Sequence, residues 1–375
     1  MKPIIRQLSL QEILKSKSCF LFGPRQTGKT SLILQQFPKA KKIDLLESDT
    51  YRKFTTNPER LRQELNQESL IIIDEIQRIP ELLFEVHHMI EKNHSRFLLT
   101  GSNPKKLRKK GVNLLGGRAR SRILHPFIKT ELGAHYDFQK AIQYGLLPSI
   151  WFSDSPWEDL NNYVSDYLTT EIASEALTRN IPAFGRFLEV AALHNGQLIN
   201  YTNLANDAEV KLSTIRNYFD ILKDTLIADE LPPWTKSKRR KAITTSKFYF
   251  FDHGIVNRLQ GRKYIATGTP EYGEVFEAMV HHELKTWIDY QKEGSLHFWR
   301  STSNFEVDFI LNEEIAIEVK AKKNVPHQDL KGLLALQEEK KMKRYICLCL
   351  EKEKRKVGNI EIIPFQNFEI DSFLD

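Results

Sequence analysis

Three short stretches of this chain hold residue types whose spacing can do chemistry. The first, Gly23-Pro24-Arg25-Gln26-Thr27-Gly28-Lys29-Thr30, fits G-x-x-x-x-G-K-[ST], a loop whose glycines let the backbone approach a phosphate. N–H groups around Gly28 and the positive end of the helix behind it would hold a β-phosphate. Lys29 would reach the β and γ oxygens, and Thr30 would ligate magnesium. The whole run is a candidate nucleotide site, with ATP and Mg2+ as its cofactors.

The second stretch, "SLIIIDEIQRIP", sets the carboxylates of Asp74 and Glu75 directly after the apolar run Leu70 to Ile73. Open parallel sheets bind ligands at the carboxyl ends of their strands. There Asp74 would hold the magnesium through water and Glu75 would polarise the attacking water. Another apolar run, "RFLLTGSN", ends in Thr100, Ser102 and Asn103. One of these, with Ser102 as the candidate, would sense the γ-phosphate or orient the water; a hydroxyl-rich turn is the alternative. Behind Gly116 and Gly117 stand Arg118 and Arg120, guanidiniums that keep their charge and would stabilise the γ-phosphate of a neighbouring subunit.

The third stretch is "FEVDFILNEEIAIEVKAKK". Asp308 is expected to end one strand, and Glu318 and Lys320 share a face of the next by the two-residue period. Glu277 lies upstream in the helical run "GEVFEAMVHHELKTWI". In a nuclease, Asp308 and Glu318 would hold one or two magnesium ions, Glu277 would complete the shell and Lys320 would place the attacking water. The alternative is a fold that binds DNA or only stabilises the protein, its carboxylates paired to lysines such as Lys322 and Lys323. Of the adjacent His281 and His282, one is expected to be packed and one solvated, with neither on a metal.

These residues need elements to position them. "SCFLFG" reads as a buried strand and "KTSLILQQF" as a helix, the order a phosphate loop requires. From Phe184 to about Asp252 three short helices precede two strands, "TLIADELPPW" and "SKFYFFD", around the loop "TKSKRRKAITT". That content describes a winged helix-turn-helix. Its third helix would present Lys211, Ser213, Thr214, Arg216 and Asn217 to DNA, and its wing Lys236, Lys238, Arg239, Arg240 and Lys241. A solvated charge run or a protein-binding module is the plainer reading of the same residues.

Composition sets the outer bounds. The 375 residues suggest two or three domains, and 41% hydrophobic with 27% charged residues reads as soluble and globular. No run approaches the roughly 18 to 20 apolar residues of a membrane span, and "MKPIIRQLSL" lacks a signal-peptide core, so the expected address is the cytoplasm. Cys19, Cys347 and Cys349 imply neither a disulfide framework nor a zinc site and are expected to be buried thiols. A net charge of +7 and a pI near 9.0 permit an anionic partner without naming one.

Taken together, "GPRQTGKT", "IIIDEIQRIPELL", "LLTGSN" and "GGRARSRILHPFIKTEL", with "YGLLPSIW", "YVSDYLTTEI" and "FEVDFILNEEIAIEVKAKK" further on, resemble the bacterial and archaeal AAA-type ATPases with a C-terminal domain of unknown function. The chain departs from them at Thr169, Thr170 and Glu171, where relatives often carry an arginine-aspartate step. The resemblance implies an α/β protein: an AAA-type P-loop ATPase domain (1–133), a helical connector and winged helix-turn-helix (134–262), and a restriction-endonuclease-like α/β domain (263–375). It implies an ATP hydrolase acting on DNA, branched DNA included, as a motor or loader in a homo-oligomer such as a ring. An ATP-gated magnesium-dependent nuclease and a regulatory NTPase switch that binds protein partners stay open beside it.

Overall fold

Cys19 to Phe22 are all apolar and all buried, as a strand covered on both faces of a parallel sheet must be. They form β1 (Ser18–Phe22), which runs into the glycine loop and the helix Lys29–Gln36. Beside it lie β2 (Lys41–Asp44), β3 (Leu70–Asp74), β4 (Arg96–Gly101) and β5 (Ala119–Ile123). The sheet order is β2-β3-β4-β1-β5, and every neighbouring pair is parallel. Because β4 inserts between β1 and β3, the loop after Phe22, the carboxylates after Ile73 and the hydroxyl of Thr100 reach one edge. Phe20 and Phe22, Ile71 and Ile73, and Phe97 and Leu99 share one face by the two-residue period and pack with Leu82, Leu83, Val86 and Met89 of the helix Leu82–Asn93.

The computed structural model describes residues 4–102, 104, 107, 115–172 and 180–373, with the side chains of residues 170, 171, 372 and 373 left aside. Asn103 and the side chains of Thr170 and Glu171 therefore lie outside the described residues. Two compact units result, Met1–Gly133 with Leu222–Ile227, and Ala134–Ile221 with Ala228–Asp375. Among the described residues no helix is long and apolar enough to cross a membrane.

Further along the chain the helices Ile181–Leu193, Tyr201–Asp207 and Leu212–Asp224, the last of these ending in residues of the first unit, precede the antiparallel pair β6 (Ala228–Leu231) and β7 (Lys247–Phe250). Aromatic packing joins them: Phe187 and Tyr201 stand edge-on to Phe219 with ring centroids 5.2 and 5.5 Å away, and Phe219 to Phe248 at 4.8 Å. A long helix, Pro270–Gln291, starts with Thr269 accepting the Tyr272 N–H and Pro270 at its first position. Then come β8 (Leu296–Arg300), β9 (Glu306–Leu311), β10 (Ile315–Lys320), β11 (Arg344–Cys349), β12 (Arg355–Val357) and β13 (Ile360–Pro364), in the order β12-β13-β11-β10-β9-β8. The strands β10, β11 and β13 are parallel, while β8, β9 and β10 run antiparallel.

Two expectations need correcting. Asp308 does not end its strand; it is third in β9, because the apolar residues Phe309, Ile310 and Leu311 carry the strand on to the turn at Asn312. Nor is either neighbouring histidine solvated. His281 and His282 are 4% and 6% exposed, since this stretch of the long helix is covered all round and His281 stacks on Tyr249, centroids 4.0 Å apart.

Candidate functional site

The glycine loop has the backbone its sequence demands. Gly28 lies at φ 92° and Gly23 at φ 154°, and a Cβ on Gly23 would stand 2.5 Å from the carbonyl oxygen of Leu124. Only glycine fits there. Gln26, at φ 63°, takes the left-handed conformation without that freedom. The Thr27 hydroxyl donates to Pro24 O (3.0 Å), and the Lys29 ammonium donates to Gly23 O (2.7 Å) and Pro24 O (2.9 Å). Burial pushes the Lys29 pKa down to about 8, against the pull of the Glu75 and Asp74 carboxylates, while Arg25 adds to the depression. Thr30 is exposed one residue further on.

Across the edge, Thr100 organises both acids. Its hydroxyl donates to Asp74 Oδ1 and accepts the Glu75 N–H at 3.1 Å. Glu75 itself is held at φ 59°, a left-handed strain that turns its side chain out of the strand direction. The Gln77 amide donates to Glu75 Oε2 and, at 3.3 Å, to the Ser102 hydroxyl. Ser102 therefore reaches Glu75 through Gln77.

Sequence reasoning missed three members of this site. Lys42 bridges Asp74 Oδ2 (2.9 Å) and Asp44 Oδ2 (3.3 Å); partial burial opposes its charge, and these two acids more than offset that, raising its pKa. Gln77 is the second. Arg6 is the third: buried, it pairs with Glu131 at 2.9 Å, donates to Thr27 O at 2.8 Å, and also reaches His125 O and Pro126 O. It thereby ties the outside of the phosphate loop to the chain after β5. Nothing local links Lys42 to Asp74, which the pairing of β2 with β3 brings together, or Arg6 to Glu131, 125 residues away.

Arg118 and Arg120 are placed elsewhere. The Ser18 N–H donates to Arg118 O, and Arg120 pairs with Cys19 in the β5–β1 register, so both stand where the strands begin, a strand length from the loop. The Arg118 guanidinium pairs with Glu91. Within one chain they do not join the phosphate site.

The acids of the second unit do come together, among cations. Lys247 bridges Glu277 (3.3 Å) and Glu306 (2.6 Å), Tyr249 donates to Glu277 at 2.6 Å, and Lys320 pairs with Glu318. Asp308 accepts the Val319 N–H at 2.8 Å. Burial and the nearby Glu277 push Asp308 up to about 6, and burial with the Asp308 charge raises Glu318 further from its ordinary range. For Lys247 and Lys320 burial opposes the charge, but the surrounding carboxylates prevail and raise both. Glu318 Oε2 is buried without a hydrogen-bond partner. Among the described residues no three His, Cys, Asp or Glu side chains are arranged to hold a metal ion. The pairing partners are Lys247 and Lys320 rather than Lys322 and Lys323.

On the helix Leu212–Asp224, Ser213, Arg216 and Asn217 are exposed beside Lys211, with Thr214 half-buried; Arg216 lies over the Tyr201 ring at 5.4 Å. The loop between β6 and β7 is fastened along its length. Its Trp234 and Ile243 N–H groups donate to Phe298 and Arg300 of β8, Lys236 pairs with Glu313 and Arg240 with Glu338. The Glu339 carboxylate accepts the backbone N–H groups of Lys238, Arg239 and Arg240 at 2.8 to 3.1 Å. Lys238, Arg239 and Lys241 are left exposed.

A model of the AAA domain matches residues 15–133, and two domains of unknown function, DUF8612 and DUF4143, match 135–265 and 272–368. An uncharacterized protein of Mycobacterium tuberculosis is 26% identical over 296 residues, 77% of this chain and 66% of the relative. The chain thus spans just under two thirds of the length of the curated relatives it matches. Among solved structures, the Aeropyrum pernix ORC1 protein in complex with DNA is 12% identical with a TM-score of 0.27, covering 67% of this chain and 90% of that one. The Thermotoga maritima RuvB Holliday junction branch migration motor is 16% identical with a TM-score of 0.29, covering 60% and 90%. Scores this low carry no weight. The matched model, the strand order and the loop with its facing acids agree: residues 15–133 form an AAA-type P-loop ATPase domain.

Proposed function

We propose that the chain hydrolyses ATP at this loop and couples turnover to DNA, as an oligomeric motor or loader. The observation that carries the first half is the meeting of Lys29, Asp74, Glu75 and Thr100 at one sheet edge. The Thr30 hydroxyl and the Asp74 carboxylate are hard oxygen donors, the kind magnesium takes alongside phosphate oxygens. Both Asp74 oxygens are already engaged, by Thr100 and Lys42, which suits a carboxylate acting through water. The bound ion would neutralise charge on the β and γ oxygens. Lys29 exchanges the carbonyls of Gly23 and Pro24 for phosphate oxygens, a charge-assisted bond that offsets the cost of its burial. Glu75, freed from Gln77, accepts the proton of the attacking water.

For the second half, the three helices with β6 and β7 are read as a winged helix. The exposed Lys211, Ser213, Arg216 and Asn217, together with Lys238, Arg239 and Lys241, supply phosphate-contacting groups. Arg118 and Arg120, away from their own loop, are read as serving a neighbouring copy in the oligomer. The test is ATP turnover with no DNA, duplex, single strand and four-way junction, with Lys29→Ala as blank. Stimulation by one form supports the coupling; turnover indifferent to all of them overturns it in favour of a protein-binding switch. Magnesium-dependent nicking abolished by Asp308→Ala would instead make the second unit a nuclease.

A further inference from the structure

The strands β10, β11 and β13 are parallel, and their carboxyl ends face a cavity of roughly 610 Å³. Open sheets commonly take ligands at this edge, and the volume is that of a small-molecule site. Its wall is aromatic. Tyr272 and Phe365 are buried and Phe138 is half-buried, with Phe138 centroids 6.5 Å from Tyr272 and 5.8 Å from Phe365. Amides of Asn324 and Gln366, both exposed, stand at the rim.

The charges on the wall nearly cancel. Lys322 is matched by Asp329 at 2.6 Å, and Glu351 by Arg355 at 2.7 Å. Lys323 is exposed and has no ion pair among the described residues. One positive charge is left over. The loop that carries it is fixed: the Lys322 N–H donates to Lys320 O at 2.7 Å, the Leu350 N–H to Lys322 O at 3.0 Å, and the Val325 N–H to Glu351 at 2.7 Å. Glu277, Asp308, Glu318 and Lys320 are not part of this wall, so the cavity is distinct from the acidic cluster.

We propose that this cavity binds a nucleoside monophosphate group, its base against Phe138, its polar edge on the Asn324 and Gln366 amides and its phosphate at Lys323. An aromatic wall takes a planar ring by stacking, amides read its donors and acceptors, and one unmatched ammonium suits one phosphate. The group can come from a free nucleotide or from a nucleotide drawn out of a strand.

The experiment is calorimetric titration of the full-length Lys29→Ala protein, in which the phosphate loop is disabled, with AMP, dTMP, inorganic phosphate and a short single strand. AMP or dTMP should bind, phosphate alone should bind far more weakly, and Lys323→Glu and Phe138→Leu should each weaken the mononucleotide by about tenfold or more. Lys323 is exposed, so its variant keeps the fold, which its melting temperature verifies. If the strand loses affinity in the same variants, the source is an extruded nucleotide; if it does not, the source is a free one. Absence of mononucleotide binding, or binding indifferent to both variants, overturns the proposal.

Discussion

Lys29 of the phosphate loop and Lys320 of the acidic cluster are both largely buried lysines at the carboxyl end of a strand system, and their charges are shifted in opposite directions. Lys29 is pushed down to about 8 because burial outweighs its acids, whereas Lys320 is raised because Asp308 and Glu318 outweigh burial. A lysine short of negative charge is poised to take an anion. One surrounded by carboxylates is already satisfied. The two lysines thus differ in how their charge is met: at Lys29 burial outweighs the facing acids, and at Lys320 the facing acids outweigh burial.

The largest expected effect sharpens the first half of this contrast. Lys29→Ala should lower ATP turnover by about 10²–10³-fold, as loss of one charged donor to a transition state does. The free protein should also bind ATP less tightly as pH rises through about 8, because the anion binds the protonated ammonium; the limiting slope is about tenfold per pH unit. A nucleotide affinity that stays level from pH 7 to 9.5 would break the claim that this lysine is short of charge.

The cluster predicts a pH dependence of stability rather than of binding, in a lower range. Asp308 is raised from its ordinary value to about 6, so the folded state holds its proton more tightly than the unfolded chain. That contribution is complete below pH 4 and is lost as pH rises through about 6, on the order of 2–3 kcal/mol. Asp308→Asn should flatten the decline in urea midpoint of the second unit between pH 4 and 7. An unchanged slope would mean that the buried acids are charge-matched at every pH.

Gly332 tests the packing that encloses the same acids. A Cβ there would stand 1.8 Å from Glu306 O and 3.5 Å from Glu318 Oε2, so the helix Lys331–Gln337 must move for any larger residue. Gly332→Ala should cost about 1–3 kcal/mol, the range for overpacking, read from the same urea transition.

How far the sequence reached follows from the same distinction. The loop, the β3 acids and Thr100 lie in runs where neighbours in sequence are neighbours in space, so spacing sufficed to read them. Lys42 enters only because β2 pairs with β3 and sets Asp44 beside Asp74, and Arg6 only because Glu131 returns to the loop; strand pairing and chain return are not written in a local pattern. The acidic cluster was legible in its residue types but not in its partners, since Lys247 comes from β7 and Glu306 faces it from β9. One of the two histidines was misjudged because a helix covered all round loses the periodicity that marks a solvated face.

The smallest expected effect separates a surface pair from a partner in catalysis. Arg118 and Glu91 have side chains 36% and 47% exposed, and solvent screens such a surface pair. Arg118→Ala should therefore leave the melting temperature of the chain almost unchanged. Its own phosphate loop lies at the other end of the sheet, so a fall in turnover without a fall in stability has to come through another copy. The measurement is turnover of Arg118→Ala mixed in increasing proportion with Lys29→Ala: each lacks what the other retains, and activity recovered in the mixture would place the guanidinium at a neighbour's γ-phosphate. Turnover of Arg118→Ala equal to that of the parent chain would confine this arginine to the surface, leaving Arg120 to be tested in the same way.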